Sequence, residues 1–541
     1  MPAQLRRSGV RVSYPATHRL SRGVVSGDRD LGAFDPHRSL VSTLRGNEFE
    51  VVDELRLTPK QARGLPDPAA VSGRLRLEFD LDDGQAAVVL VEQGGCYSWH
   101  LPDPAGQPRT RRLPGAAYPS AFDIDLVAAQ GTATGAAHRL AVGEVRTRGR
   151  LGELLSGAVR AVVLRFPAPP PLSAAISLLE RHVEPGLIHI TNPDPRTWRR
   201  LERLADVGLP ADRPARVLLL VHGTFSTTVS AFVALGLVGA GPQFLRNALA
   251  EYDAVIGFDH PTLSVDPLAN ATDLLRRVSG VTSGVTFDVI THSRGGLTTR
   301  SFVEFVLPGS GWPGSVDRVV FVAAPNGGTH LADPARWNDL VDLTTNLVMV
   351  TASSLARLPV APPAAGLVDG VIGGVATGLG ALVKLLGNPL LDERAVPGLA
   401  AMRPDGPFVT TLNRTQPGQP GPGTAWFVAK SNFHVSDDGR LPADFPREFA
   451  LRLAEGFVDD IFRGPNDLVV DAASMGAIDA SVGGFVRDTF DFGANDVVHH
   501  LNYFHQPDLV AAMADWLLPS RARRRRTKRR ARPAHPAAGP G

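Results

Sequence analysis

Five apolar runs in the second half of the chain constrain its fold more than any other feature. They read RVLLLVHG (216–223), YDAVIGF (252–258), TFDVITH (286–292), DRVVFVAA (317–324) and TAWFVAK (424–430). None of them alternates regularly with polar residues. A strand that is apolar along its whole length has to be covered on both faces, as strands are in a parallel sheet flanked by helices. The spacing predicts helices between the runs, at 241–251, 267–278 and 294–306. Strands alternating with helices argue an α/β sheet.

The first third has a different texture. Residues 1 to about 65 show little periodicity and are expected to be irregular. From residue 74, Leu75, Leu77, Phe79 and Leu81 alternate with Arg74, Arg76, Glu78 and Asp80, the pattern of a half-buried strand. DDGQ (82–85) is a turn signal, which makes AAVVLVE the expected hairpin partner. With further short apolar runs at 122–127 and 159–165, residues 66–166 are expected to form a small β-rich, sandwich-like domain. PAPPP (167–171) opens a linker to about 185, and 186–519 holds the α/β sheet. An insertion at about 335–400 interrupts the alternation. Its centre, GLVDGVIGGVATGLGALVKLL (366–386), contains Asp369, Lys384 and several glycines, which disfavours a membrane span. A helical cap over a pocket is the expected role.

Composition narrows the class. The chain has 541 residues, 43% hydrophobic and 20% charged, enough for two or three domains of soluble globular type. A single cysteine, Cys96, excludes an intramolecular disulfide and a cysteine-rich metal site. The first twenty residues hold no long apolar run, so no signal peptide is expected and a cytoplasmic location is. Residues 520–541 carry nine Lys or Arg and no acid, leaving a body of 47 basic and 54 acidic residues. Such a tail is expected to be disordered and suited to an anionic surface, membrane or nucleic acid.

The chemistry gathers at strand ends. In FDVITHSRGGLTTR (287–300) an apolar run meets Ser293 at what reads as a sharp strand-to-helix turn. A serine attacks only when a base takes its proton and donors stabilise the oxyanion. Downstream, GPNDLVVDAASM (464–475) offers Asp467 in a loop, and DVVHHLNYFHQPDL (496–509) offers His500 before a final amphipathic helix. Upstream, LLLVHGTFSTT (218–228) ends a buried strand in His222 and Gly223, where a short loop leaves N–H groups free at the edge of the sheet. The expected oxyanion donors are the backbone amides of Thr224 and Arg294, with Gly223 and Gly295 giving the turns their room.

In this order LVHGTF, THSRGG, VAAPNGGTHLAD, GLAAMRPDGPFVTTLN, NDLVVDAASM and HHLNYFHQPDLV resemble the signature of lipase-like α/β-hydrolases, among them bacterial triacylglycerol lipases and esterases. The resemblance covers roughly residues 186–518. It implies an α/β-hydrolase sheet with a helical cap, and a serine carboxylic-ester hydrolase acting through an acyl-enzyme. Ser293 would be nucleophile, His500 base and Asp467 its partner. No cofactor and no metal are expected; the resemblance implies a small-molecule or lipid ester as substrate, with lipid-like acyl chains favoured by the apolar insertion. An acyltransferase or thioesterase on the same residues, or a non-catalytic interaction protein, are the alternatives. The departure is Thr291, where the family has glycine. His499 and His505 compete with His500, and Asp471 with Asp467. His222, His330 and Asp333 read as structural, and Cys96 beside His100 reads as a bystander pair. No HExxH, close cluster of metal ligands or phosphate loop is present.

Overall fold

In the computed structural model, residues 2–5, 8–22, 35–60, 73–103, 118–126, 158–168, 180, 183–358, 365–386, 396–414, 423–435, 442, 444–454, 456, 458–462, 464–478 and 485–518 are described. The basic tail and most of the expected linker lie outside the described residues.

Ahead of the apolar runs, nine strands among the described residues form two antiparallel sheets. They are β1 (Pro2–Gln4), β2 (Arg11–Ser13), β3 (His18–Arg22), β4 (Glu50–Pro59), β5 (Gly73–Leu81), β6 (Gln85–Gln93), β7 (Cys96–His100), β8 (Tyr118–Leu126) and β9 (Val159–Pro167). One sheet runs β1-β2-β5-β8 and the other β3-β4-β9-β6-β7. Leu75, Leu77 and Phe79 of β5 share one buried cluster with Ala87, Val89 and Val91 of β6, so the two sheets face each other.

Two expectations are corrected here. Residues 1–65 are not irregular: they supply β1–β4 and a helix, Pro36–Gly46, capped by the Asp35 carboxylate on the His37 N–H. The first three strands, of three to five residues, are too short to show a period. Nor is β5–β6 a hairpin. The Asp82–Gly84 turn forms, with Gln85 N–H on the Asp82 carbonyl at 3.1 Å, but it carries the chain from one sheet to the other. The alternating β5 has one face to bury. In β6, Val88 and Leu90 are buried on the second face as well, which places it inside a sheet covered on both sides.

The apolar runs form the middle of the third sheet. Its strands are β10 (Gly186–His189), β11 (Arg199–Leu201), β12 (Ala215–Val221), β13 (Ala254–Asp259), β14 (Val285–His292), β15 (Ser315–Val322), β16 (Ala425–Phe433) and β17 (Val486–Asn495). The order is β11-β10-β13-β12-β14-β15-β16-β17, parallel from β13 to β17. The predicted helices appear as Gly241–Glu251, Pro267–Val278 and Gly295–Ser301, the last continued by a π turn to Val306. From β12 the chain steps one way to β13, then reverses to β14 and β15. Right-handed crossovers then place the helices between β12 and β13 on the face opposite those that follow. The reversal opens a crevice beyond the carboxyl ends of β12 and β14, where a ligand site is expected in such sheets.

After β15 come two long helices, Trp337–Ala356 and Ala365–Leu386, which pack on each other and on helix Pro36–Gly46. Of the described helices, the stretch Gly366–Leu386 is long and apolar enough to cross a membrane. Two of its glycines sit where neighbours press close: a Cβ at Gly378 would come 2.9 Å from the Phe225 ring, and one at Gly380 3.1 Å from that of Phe49. The first long helix closes the free edge of β7. Asn346 accepts the Tyr97 N–H and Asp342 the Trp99 N–H, each at 2.8 Å.

Burial pushes the Asp342 carboxyl up to about 7, with Asp339 adding to the effect and the Trp99 N–H opposing it. A carboxyl whose folded value lies above its unfolded one binds its proton more tightly in the folded chain. Stability therefore falls as pH rises from about 4 to about 7. Asp342→Asn keeps the acceptor for Trp99 and loses the charge. It should match wild type near pH 4 and exceed it by roughly 1–2 kcal/mol at pH 8, allowing for partial contact with water. Thermal midpoints of both proteins at the two pH values check this, and an advantage that does not grow with pH contradicts it.

Candidate active site

Ser293 stands at the carboxyl end of β14 with φ +53°. A side chain there pays for a left-handed backbone, and a serine held so at a strand-to-helix turn presents Oγ above the sheet. Three glycines let other atoms come close. A Cβ at Gly295 would lie 2.3 Å from the Val221 carbonyl, one at Gly296 2.5 Å from Ala324 Cβ, and one at Gly223 2.6 Å from Ser293 Cβ. Thr291, the departure from the glycine pattern, is buried and lies only 3.5 Å from that imagined Gly296 Cβ, an ordinary contact. Bareness is needed after the serine, not two residues before it.

Ser293 Oγ is 2.9 Å from His500 Nε2, and His500 Nδ1 is 2.8 Å from Asp467 Oδ2. Asp467 is fully buried yet saturated with donors. Oδ1 accepts the N–H groups of Val469 at 3.1 Å and Val470 at 2.8 Å, and Oδ2 also accepts the Tyr503 hydroxyl at 3.2 Å. With His500, four donors surround the carboxyl group, so both of its oxygens have partners in the folded chain. The loop closes on itself, His500 N–H donating to the Asp467 carbonyl at 3.0 Å.

The two amides assigned to the oxyanion come from the crevice. Among the described residues, neither the Thr224 nor the Arg294 N–H donates to a carbonyl, whereas the next amide, Phe225 N–H, is taken by Thr262 Oγ1 at 3.2 Å. Arg294 begins helix Gly295–Ser301, and its own side chain points into the interior, fully buried. Burial lowers its guanidinium to about 10, against the opposing pull of Glu180 and Asp266. Phe225, Leu468 and Ala323 share the positive φ of Ser293. Phe225 lines the same cavity as Ser293 and Leu468 directly follows Asp467, and strain of this kind persists where the surrounding structure over-determines the backbone.

The remaining predicted residues sort by contact. His222 takes the tautomer with Nδ1–H on the Gly223 carbonyl at 2.9 Å, leaving Nε2 to accept the His260 N–H at 3.2 Å. It fastens the loop, and burial keeps it neutral. His499 lies edge-on to Phe433 and Phe445, and burial holds it down to about 3; His505 is held down to about 4 the same way. Neither meets Ser293. Asp471 takes the His330 Nδ1–H at 2.9 Å, and Asp333 caps a turn through Ala335 N–H. Cys96 is buried, and burial pushes its thiol up to about 12, far from the thiolate a nucleophile needs. Among the described residues no cluster suited to a metal ion is present.

Two neighbours were missed in the sequence. His292 donates from Nε2 to the His500 carbonyl at 2.8 Å, and its burial beside His500 lowers it to about 3, so it adds no second cation when His500 is protonated. Tyr503 is the fourth donor to Asp467. Only the position of each, one before the serine and three after the base, hints at a role.

Beyond Ser293 lies a cavity of about 70 Å³, the room of a few waters. Its walls are Phe225 and Leu331, then Leu347 and Val348 from helix Trp337–Ala356 and Val371 and Val375 from helix Ala365–Leu386.

A family model described as "Domain of unknown function (DUF7379)" matches residues 185–518, more than half of the chain. The chain belongs to this family. The site lies wholly inside the DUF7379 region. A second model, "Domain of unknown function (DUF7362)", matches residues 7–166. No curated protein matches by sequence. Solved structures similar to this chain include lipase 1 from Pelosinus fermentans, with TM-score 0.34, 15% identity, 57% of this chain and 100% of that one covered. Carboxylesterase CesB (YbfK) from Bacillus subtilis gives TM-score 0.30 and 13% identity, covering 64% of this chain and 95% of that one. Phospholipase PlaB from Legionella pneumophila gives TM-score 0.26 and 14% identity over 49% of this chain and 45% of that one.

Proposed function

We propose that the protein is a serine hydrolase of carboxylic esters with an α/β-hydrolase fold. The observation that carries this is the unbroken contact from Ser293 Oγ to His500 to Asp467, beside two backbone amides that find no acceptor among the described residues. As Ser293 Oγ attacks the ester carbonyl, His500 Nε2 takes its proton while Asp467 holds Nδ1–H and stabilises the imidazolium. The negative oxygen of the tetrahedral intermediate meets the amides of Thr224 and Arg294. His500 then hands the proton to the departing alcohol, leaving an acyl group on Ser293. Water, deprotonated by the same imidazole, releases the acid. The apolar walls of the cavity suit the acyl chain.

The test is covalent labelling with a fluorophosphonate, the adduct being located by peptide mass spectrometry. Wild type should carry the label on Ser293, and Ser293→Ala should carry none. A folded wild type that takes no label, or takes it at another serine, removes the reading.

A further inference from the structure

Both amides assigned to the oxyanion hang on one short loop, His260–Val265, which follows β13. On one side Thr262 Oγ1 accepts the Phe225 N–H at 3.2 Å, fixing the peptide that follows Thr224. On the other, the buried guanidinium of Arg294 donates to the Val265 carbonyl and, at 3.2 Å, to the Gly398 carbonyl. Gly398 N–H in turn donates to the Leu263 carbonyl at 2.9 Å, and a Cβ at Gly398 would collide with the Thr262 carbonyl.

The Glu180 carboxylate lies at the centre of this loop. Oε1 accepts the Thr262 N–H at 2.6 Å and its hydroxyl at 2.9 Å. Oε2 accepts the Leu263 N–H at 2.9 Å, the Ser264 N–H at 2.8 Å and the Ser264 hydroxyl at 2.7 Å. Glu180 is 8% exposed, comes from the stretch between the two family regions, and its charge offsets that of Arg294. An ionised carboxylate is buried at a cost unless donors and an opposite charge surround it. Here it has both, and they connect it to the two residues whose amides face the crevice. Amide donors speed acyl transfer only when they are held in place before the charge develops.

We infer that Glu180 and Thr262 are positioning residues for the oxyanion hole. Through the 262–265 loop they set the Thr224 amide by way of Phe225, and the Arg294 amide by way of its side chain. The inference rests on the hydrolase reading above.

The test uses the full chain, a soluble p-nitrophenyl ester, and a trifluoromethyl ketone whose hemiketal oxyanion occupies the hole. Thr262→Val removes only the hydroxyl, Thr262→Ser restores it, and Glu180→Gln removes the charge and one acceptor. Thr262→Val and Glu180→Gln should each lower kcat by about 10–100-fold with KM within about twofold, and should raise the Ki of the ketone by the same factor. Thr262→Ser should stay within about threefold of wild type. A loosened fold would move KM and the thermal midpoint without that proportionality. If Glu180→Gln does not fold, the Thr262 pair decides. Unchanged kcat and Ki in Thr262→Val, or a fall in kcat with no change in Ki, overturns the inference. A wild type that takes no fluorophosphonate label and hydrolyses no ester overturns the hydrolase reading, and this inference with it.

Discussion

Ser293→Ala is expected to lower kcat for ester hydrolysis by about 10⁶, some 8 kcal/mol of barrier, while leaving the protein folded. The size follows from what stays behind. Without Oγ, His500 has no proton to take and no acyl-enzyme can form, so only the amides and the apolar cavity act on the substrate. That residue of catalysis is worth about 10³–10⁴ over water. The fold should survive because alanine keeps the Cβ against which Gly223 packs, and the Ser293 N–H bond to the Val322 carbonyl at 2.9 Å belongs to the backbone. The substitution leaves His500 Nε2 without its partner, a change of order 1 kcal/mol. Turnover of a short p-nitrophenyl ester and a thermal melt measure both quantities. A variant that keeps more than about a hundredth of wild-type kcat means that the nucleophile is elsewhere.

Asp467→Asn should cost about 10⁴ in kcat, although it changes one atom. Oδ1 is pinned by two backbone N–H groups, from Val469 and Val470, so the asparagine has to place its carbonyl there. Its NH₂ then stands where Oδ2 stood, 2.8 Å from His500 Nδ1. A donor at that point forces Nδ1 to accept, which moves the ring proton to Nε2. The imidazole then donates to Ser293 and cannot take its proton. Tyr503 can rotate its hydroxyl to accept from the amide, so stability should fall little. The comparison with Asp467→Ala is informative: removing the wrong donor as well as the right acceptor should not be worse by more than about tenfold. A near-normal kcat in Asp467→Asn would show that the carboxylate does not set the tautomer.

Much of this arrangement was legible in the chain itself. Residues that are apolar at every position, such as Val217–Val221, report burial on both faces without reference to any partner, and the sheet from β12 to β16 follows from them. The mostly exposed strand β17 does not, because an edge strand that alternates weakly looks like a loop. Shortness hid β1–β3, which have three to five residues each. Ser293, Asp467 and His500 could be picked out because Ser293 and His500 come at the ends of apolar runs and Asp467 stands in a loop just before one, in an order that chemistry recognises. The choice among His499, His500 and His505 rested on resemblance, and three histidines within seven residues differ only in which way the loop turns them.

What the sequence determined by itself is therefore local. Periodicity says which faces are covered, and a small residue after a strand says where the chain turns sharply. Tertiary structure decided whatever joins residues far apart in the chain. It sends β5 and β6 to different sheets, turns His500 rather than His499 toward a serine 207 positions away, and brings Glu180 beneath a loop 82 positions further on. The physical reason is that burial is encoded residue by residue. A hydrogen bond between distant side chains instead depends on strand order and register, which exist only once the whole sheet has formed.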